Sequence, residues 1–328
     1  EFNFGVDAGF FNNRLNVTFD VYQRRNFDEI APTVTQLYGT AYANVGSMKS
    51  WGEELSISST NVKTNDFSWQ TSLIYSHNRT EITDLYNQGR VIDLVQGNGF
   101  AKQGYPARAL FSIPFVGINE KGNPVCINEK GQATVGDLNF QERNNTDYLI
   151  YEGSTDPIYN GSLGNTFNYK GFHLNLFLTY AFGNVVRLDP VFKAKYNDLT
   201  SMTHDFKNRW MQPGDENVTN VPGVVSRYEY EQNRTLLSTA YNAYNYTSVR
   251  TAKGDFIRLK EISLAYDFPH RWLENSPVNN ISLKLQATNL MLLYADKKLN
   301  GQDPEFMNAG GVASPMPKQF TLTLKLGL

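Results

Sequence analysis

The side chains best able to do chemistry in this chain stand apart from one another. Its four histidines, His77, His173, His204 and His270, lack the spacing of metal ligands. The one cysteine, Cys126, lies in the turn-rich Gly122-Asn123-Pro124-Val125-Cys126 without a histidine nearby. An internal disulfide and a cysteine-based metal site are therefore excluded. Glu53 and Glu54 are adjacent, and neighbours on a strand point to opposite faces, so they cannot act as a carboxylate pair. Gly-x-Ser-x-Gly, phosphate-binding and dinucleotide motifs do not occur. No catalytic, metal-binding or cofactor-binding residue is expected.

Contact chemistry is better represented. The stretch from 228 to 246 carries Tyr228, Tyr230, Tyr241, Tyr244 and Tyr246, with Asn242 and Asn245 between them. Aromatic faces stack on sugar rings or peptide side chains, and Asn amides both donate and accept hydrogen bonds. Trp210 with Asp215-Glu216 makes a second such patch. These six aromatic residues are candidates for substrate or partner contact, with packing inside their own loop as the competing use. Nucleic acid is not expected, because 30 Lys+Arg stand against 32 Asp+Glu and leave no basic footprint.

Strands must position these groups. The chain has 328 residues with 21 Phe, 19 Tyr and 4 Trp, and its mean hydropathy is −0.44 although 41% is apolar. That combination points to alternation. No run approaches the roughly 18 apolar residues of a membrane helix, which leaves membrane β-strands open. Period-two patterns run over Phe2–Phe10, Leu15–Val21, Leu55–Ser59, Trp69–Ser76, Phe172–Phe182, Ile281–Ala287 and Phe320–Leu328. Near Gly254–Phe268 the parity changes, which predicts a β-bulge at Lys260-Glu261.

Connections alternate in length. Short turns are expected at Phe11–Arg14, Asn61–Asp66, Tyr169–Gly171 and Pro269–Asn279, and long segments at Asn26–Ser50, Arg79–Pro157, Asn184–Lys253 and Ala295–Lys318. Long loops at one end and short turns at the other fit an outer-membrane barrel, here with about nine spanning strands. Two aromatic girdles are expected, Phe67, Trp69, Tyr169, Phe172, Phe268 and Trp272 beside the turns, and Tyr22, Trp51, Tyr180, Phe182, Phe256 and Tyr294 toward the loops. On the sixth strand His173, Asn175 and Thr179 should face the lumen, and Leu174, Leu176, Leu178 and Tyr180 the lipid. The fold class is all-β, a transmembrane antiparallel barrel. A soluble carbohydrate-binding sandwich is the competing architecture.

Several blocks resemble SusC/RagA-type TonB-dependent outer-membrane transporters. They are the run Pro157–Phe172, Asn44-Val45-Gly46-Ser47-Met48 with Gly52-Glu53-Glu54-Leu55, the run Gly254–Tyr266, Gln286-Ala287-Thr288-Asn289-Leu290, Asp303-Pro304-Glu305 and the terminus Pro317–Leu328. They fall in family order across the whole chain. The resemblance implies that residues 1–328 are the C-terminal part of a 22-stranded plugged barrel, with the plug and the N-terminal strands outside this chain. It further implies import of a glycan or oligopeptide across the bacterial outer membrane, with TonB and a SusD-like surface lipoprotein as partners. A passive porin or structural barrel is the alternative. Two departures stand out: Leu328 replaces the usual terminal aromatic, and the acidic loop of relatives is reduced to Asn128-Glu129-Lys130-Gly131, so no calcium site is expected there.

Overall fold

A computed structural model describes every residue except 36–38, 197–198, 200–201, 275–276, 308–316 and 328. The terminal position Leu328 thus lies outside the described residues. Nine strands form one antiparallel sheet in chain order. They are β1 (Phe2–Phe10), β2 (Leu15–Thr35), β3 (Gly39–Lys63), β4 (Phe67–Leu85), β5 (Tyr159–Tyr169), β6 (Phe172–Phe182), β7 (Phe256–Asp267), β8 (Asn280–Ala295) and β9 (Gln319–Gly327). Strands β1 and β9 lie at the two edges and do not pair with each other among the described residues.

Cross-strand register sorts the side chains onto two unlike faces. One row reads Ala8, Val17, Ile57, Leu73, Leu163, Leu178, Leu259 and Met291, apolar across eight strands. The next row reads Asp7, Thr18, Ser56, Ile74, Ser162, Thr179, Arg258 and Leu292, largely polar over the same strands. Leu174, Leu176, Leu178 and Tyr180 share the apolar face with Leu264, Ile262, Leu259 and Ile257, while His173, Asn175 and Thr179 lie on the other. Leu285, Leu322 and Leu324 are well exposed on the apolar face. The same face carries a small polar cluster of Ser59, Thr71 and Asn165, but an apolar surface of this extent demands a covering, and hydrocarbon supplies it.

Local chemistry explains the tight features. Lys170 and Gly171 both have positive φ in the β5–β6 turn, where glycine carries no steric penalty. At Gly161 a Cβ would meet the Tyr180 hydroxyl at 2.6 Å. Tyr180 instead lies across that glycine and donates to the Ile74 carbonyl at 3.2 Å, tying β6 to β4 over β5. The expected bulge is present, with Leu178 paired to Leu259 and Phe177 to Glu261, so Lys260 is the extra residue.

Three expectations change. The segment Asn26–Ser50 is mostly strand, because β2 and β3 continue their pairing as far as Thr35 and Gly39. A register shift between Asn26 and Glu29, with Asp28 at positive φ, breaks the parity there and hides the strands from a period-two reading. Tyr22 pairs with Gly52, and Phe256 with Ala181, on the polar face, so neither belongs to an outward girdle. The segment Asn184–Lys253 takes most of its regular structure as helix, with α2 (Arg227–Gln232) and α3 (Arg234–Asn245). By contrast, Arg79–Pro157 carries short strand pairs such as Ala109–Ser112 with Ile150–Ser154 and one helical turn, α1 (Val91–Val95).

These two long connections pack into a single block beside the long-loop end of the sheet. Val91, Leu94, Val95, Phe111, Ile113 and Cys126 share a core with Ala243 of α3. Arg187 is buried across the seam and donates to the Thr247 and Phe111 carbonyls, each at 2.7 Å. Burial pushes the Cys126 thiol up to about 12. Its unfolded value is about 8.5. The folded value is the higher one, so the buried thiol stabilises fully below about pH 8.5 and loses that contribution as pH rises toward 12. A maleimide at pH 8 should therefore label Cys126 only after denaturation. Labelling of the folded protein at the rate of a free thiol would contradict this core.

Candidate functional site

Where the polar face of β5, β6 and β7 runs under the loop block, it encloses an open cleft of about 640 Å³. Asn160 and Ser162 come from β5, Phe177 and Thr179 from β6, and Phe256 and Lys260 from β7. Lys260, the extra residue of the bulge, keeps the inward parity of Phe256 and Arg258 and lines this space. Arg108 enters from the loop block, held by Asp156 at 2.6 Å and by donation to the Asn98 carbonyl at 3.0 Å. Asn184 and Gly254 close one wall. The Gly254 amide donates to the Asn184 carbonyl at 2.8 Å, and a Cβ at 254 would collide with the Asn184 amide.

A buried clasp forms the opposite wall. Arg258 on β7 is held by Asp303, which accepts at 2.6 Å, and by Glu305 at 3.1 Å. The segment Pro304–Phe306 is thereby fixed against the sheet, and Pro304 and Glu305 line the cleft. Two blocks singled out in the sequence, Gly254–Tyr266 and Asp303-Pro304-Glu305, thus meet through one ion cluster. The cleft offers the cations Lys260 and Arg108, the Glu305 carboxylate, amides, hydroxyls and two phenylalanine rings. Such a set can hold a polar solute by hydrogen bonds and charge at several points. Among the described residues no group of His, Cys, Asp and Glu could hold a metal ion.

The six aromatic candidates lie elsewhere. Tyr241 and Tyr244 are 1% and 2% exposed, so their ring faces are occupied inside the block. Tyr241 donates to the Gly223 carbonyl at 2.6 Å, and Tyr244 meets Phe115 and Phe192 edge-on. Burial pushes both phenols up. Tyr246 packs against Phe140, and Tyr230 lies within hydrogen-bond reach of Ser238. Trp210 donates to Glu216 at 3.0 Å and covers Gly122 and Gly223. Tyr228 alone of the six is broadly open, at 78% exposure. None of them lines the cleft. The helical spacing of Leu237, Ala240, Tyr241 and Tyr244 was the signal that would have placed them in a core. Lys260 could have been found from the parity change and Glu305 from its motif block, whereas nothing local marks Arg108 or Asn184.

No protein-family model matches the chain. The TonB-dependent receptor P39 of Formosa agariphila is 25% identical over an alignment of 361 positions, which covers 95% of this chain and 33% of that protein. The TonB-dependent receptor SusC of Bacteroides thetaiotaomicron is 26% identical over an alignment of 344 positions, covering 99% of this chain and 31% of SusC. The chain thus spans about a third of the length of the curated relatives it matches. A solved structure described as the RagAB peptide transporter superposes with a TM-score of 0.73 at 23% identity, over 99% of this chain and 34% of that one. Its fold is shared. Sheet and faces make this chain a stretch of an outer-membrane β-barrel, and its sequence is similar to the TonB-dependent receptors of the SusC/RagA type.

Proposed function

We propose that the chain forms part of the wall of a nutrient importer that is driven through TonB and covered by a SusD-like surface lipoprotein. The observation that carries this reading is the polar cleft on the lumen side, roofed by a packed block of the two longest loops. Lys260, Arg108 and Glu305 lining one cleft suit the charges of an oligopeptide better than a neutral oligosaccharide, which is the second substrate class. The solved relative described as a peptide transporter points the same way. Tyr228, on the exposed side of the block, is available to the lipoprotein lid.

The plug and the remaining strands belong to polypeptide outside residues 1–328. Lipid cannot satisfy the free N–H and C=O groups along the edges of β1 and β9, so each edge meets a further strand of the same barrel. Fast amide exchange along the outer edge of β9 in the full-length protein in lipid would contradict that closure.

Uptake by cells carrying the full-length protein tests the activity. Lys260→Ala should weaken handling of the cognate peptide about tenfold or more, since a hydrogen bond to a charged group contributes roughly 1.5–3 kcal/mol. Uptake that persists without TonB, or a high resting conductance in planar bilayers, would instead favour a passive porin. Unchanged peptide uptake beside lost oligosaccharide uptake would assign the cleft to the second class.

A further inference from the structure

The apolar face changes character along β2, β3 and β4 toward the long loops. After Leu55 and Tyr75 come Val21, Glu53 and His77, then Gln23, Trp51 and Arg79, and finally Arg25, Lys49 and Glu81. These residues share the outward face, because the register is unbroken from Leu15 to Asn26 on β2 and from Met48 to Thr60 on β3. Directly opposed side chains on neighbouring strands stand about 4.5–5.5 Å apart at Cβ. Arg25 lies directly beside Lys49, and Arg79 lies diagonally from Lys49 on β4, so three cations share this rim with the carboxylates Glu81 and Glu53. It sits just above the aromatic level marked by Tyr75, Tyr159 and Tyr180.

We propose that Arg25, Lys49 and Arg79 bind the phosphate-bearing headgroup of a glycolipid in the outer leaflet. Arg25 and Arg79 are exposed, and Lys49 is paired with Glu81 at 2.8 Å, so the two arginines carry the uncompensated charge. Trp51 lies under Lys49, whose ammonium is 5.4 Å from the ring centroid, and supplies an apolar seat at the headgroup boundary. One row below, His77 stacks on Tyr159 with centroids 4.9 Å apart. That ring pair carries the aromatic level up to the edge of the charged rows. The inward face differs. There Arg24 is already occupied by Glu1 at 3.0 Å.

This site rests on the long loops lying outside the cell, and the test separates the two ideas. The full-length protein in detergent is titrated with phosphorylated lipid A, with dephosphorylated lipid A and with phosphatidylglycerol, and bound lipid is read by native mass spectrometry. The double variant Arg25→Gln/Arg79→Gln should bind phosphorylated lipid A about tenfold or more weakly, whereas Arg24→Gln should bind it normally. Dephosphorylated lipid A should bind the parent protein as poorly as phosphorylated lipid A binds the double variant. Heat-modifiable migration on gels verifies folding, and Arg79→Gln alone serves if the double variant fails to assemble. Unchanged binding by the folded variant, or an equal loss with Arg24→Gln, would overturn the proposal. Preference for phosphatidylglycerol over lipid A would also overturn it, and would place this rim at the inner leaflet.

Discussion

Replacing Arg258 by Ala is expected to destabilise the assembled protein by about 3–5 kcal/mol, the range for breaking a buried ion pair from one side. The Arg258 and Asp303 side chains are only 7% and 10% exposed, so the carboxylate left behind cannot recover its hydration. Asp303 also accepts from the Glu305 amide at 3.1 Å, which holds it in place rather than letting it turn to solvent. Denaturant unfolding of the full-length protein in lipid vesicles measures the loss. The companion change Asp303→Ala should cost a similar amount, and the double variant less than the sum, because each single change orphans the other group. Additive losses would show that the clasp is not a unit. Release of Pro304–Phe306 should also widen the cleft, so the Arg258 variant should lose affinity for the transported solute as well.

Leu176→Arg is the second large effect, expected at about 2–4 kcal/mol if residue 176 lies near the bilayer midplane. Leu176 stands between Asn165 on β5 and Ile262 on β7 on the apolar face. Asn165 already accepts from Trp69 Nε1 at 2.9 Å and Thr71 Oγ1 at 2.8 Å, so it offers the guanidinium little relief. Arginine at Asn175, one residue away on the opposite face, should cost far less because it meets the lumen side. Equal costs at the two positions, measured by unfolding in vesicles, would remove the assignment of faces.

Much of the sheet was legible because lipid imposes a local rule. Within the bilayer every second side chain must be apolar, and that period is written directly into Leu15–Val21, Phe172–Phe182 and Ile281–Ala287. The bulge at Lys260 was legible for the same reason, as a change of parity. Beyond the bilayer the rule lapses. The outer halves of β2 and β3 pair through backbone bonds with no required apolar face, so they read as loop although they are strand.

The candidate site was less legible. Tyr241 and Tyr244 look like contact residues in a polar, Asn-rich stretch, but α3 turns them inward against Phe115, Phe192 and Gly223. A ring face is available only if nothing covers it, and covering is decided by partners far along the chain. Arg108, Thr179, Lys260 and Glu305 share one cleft although nearly two hundred residues separate the first from the last. The amino-acid sequence by itself determined which segments become strands, which face meets lipid and which family the chain resembles, because alternation and motifs are local. Only the tertiary structure decided which polar groups converge and which aromatics are spent on the core, because convergence depends on register across strands and on the packing of two loops against each other.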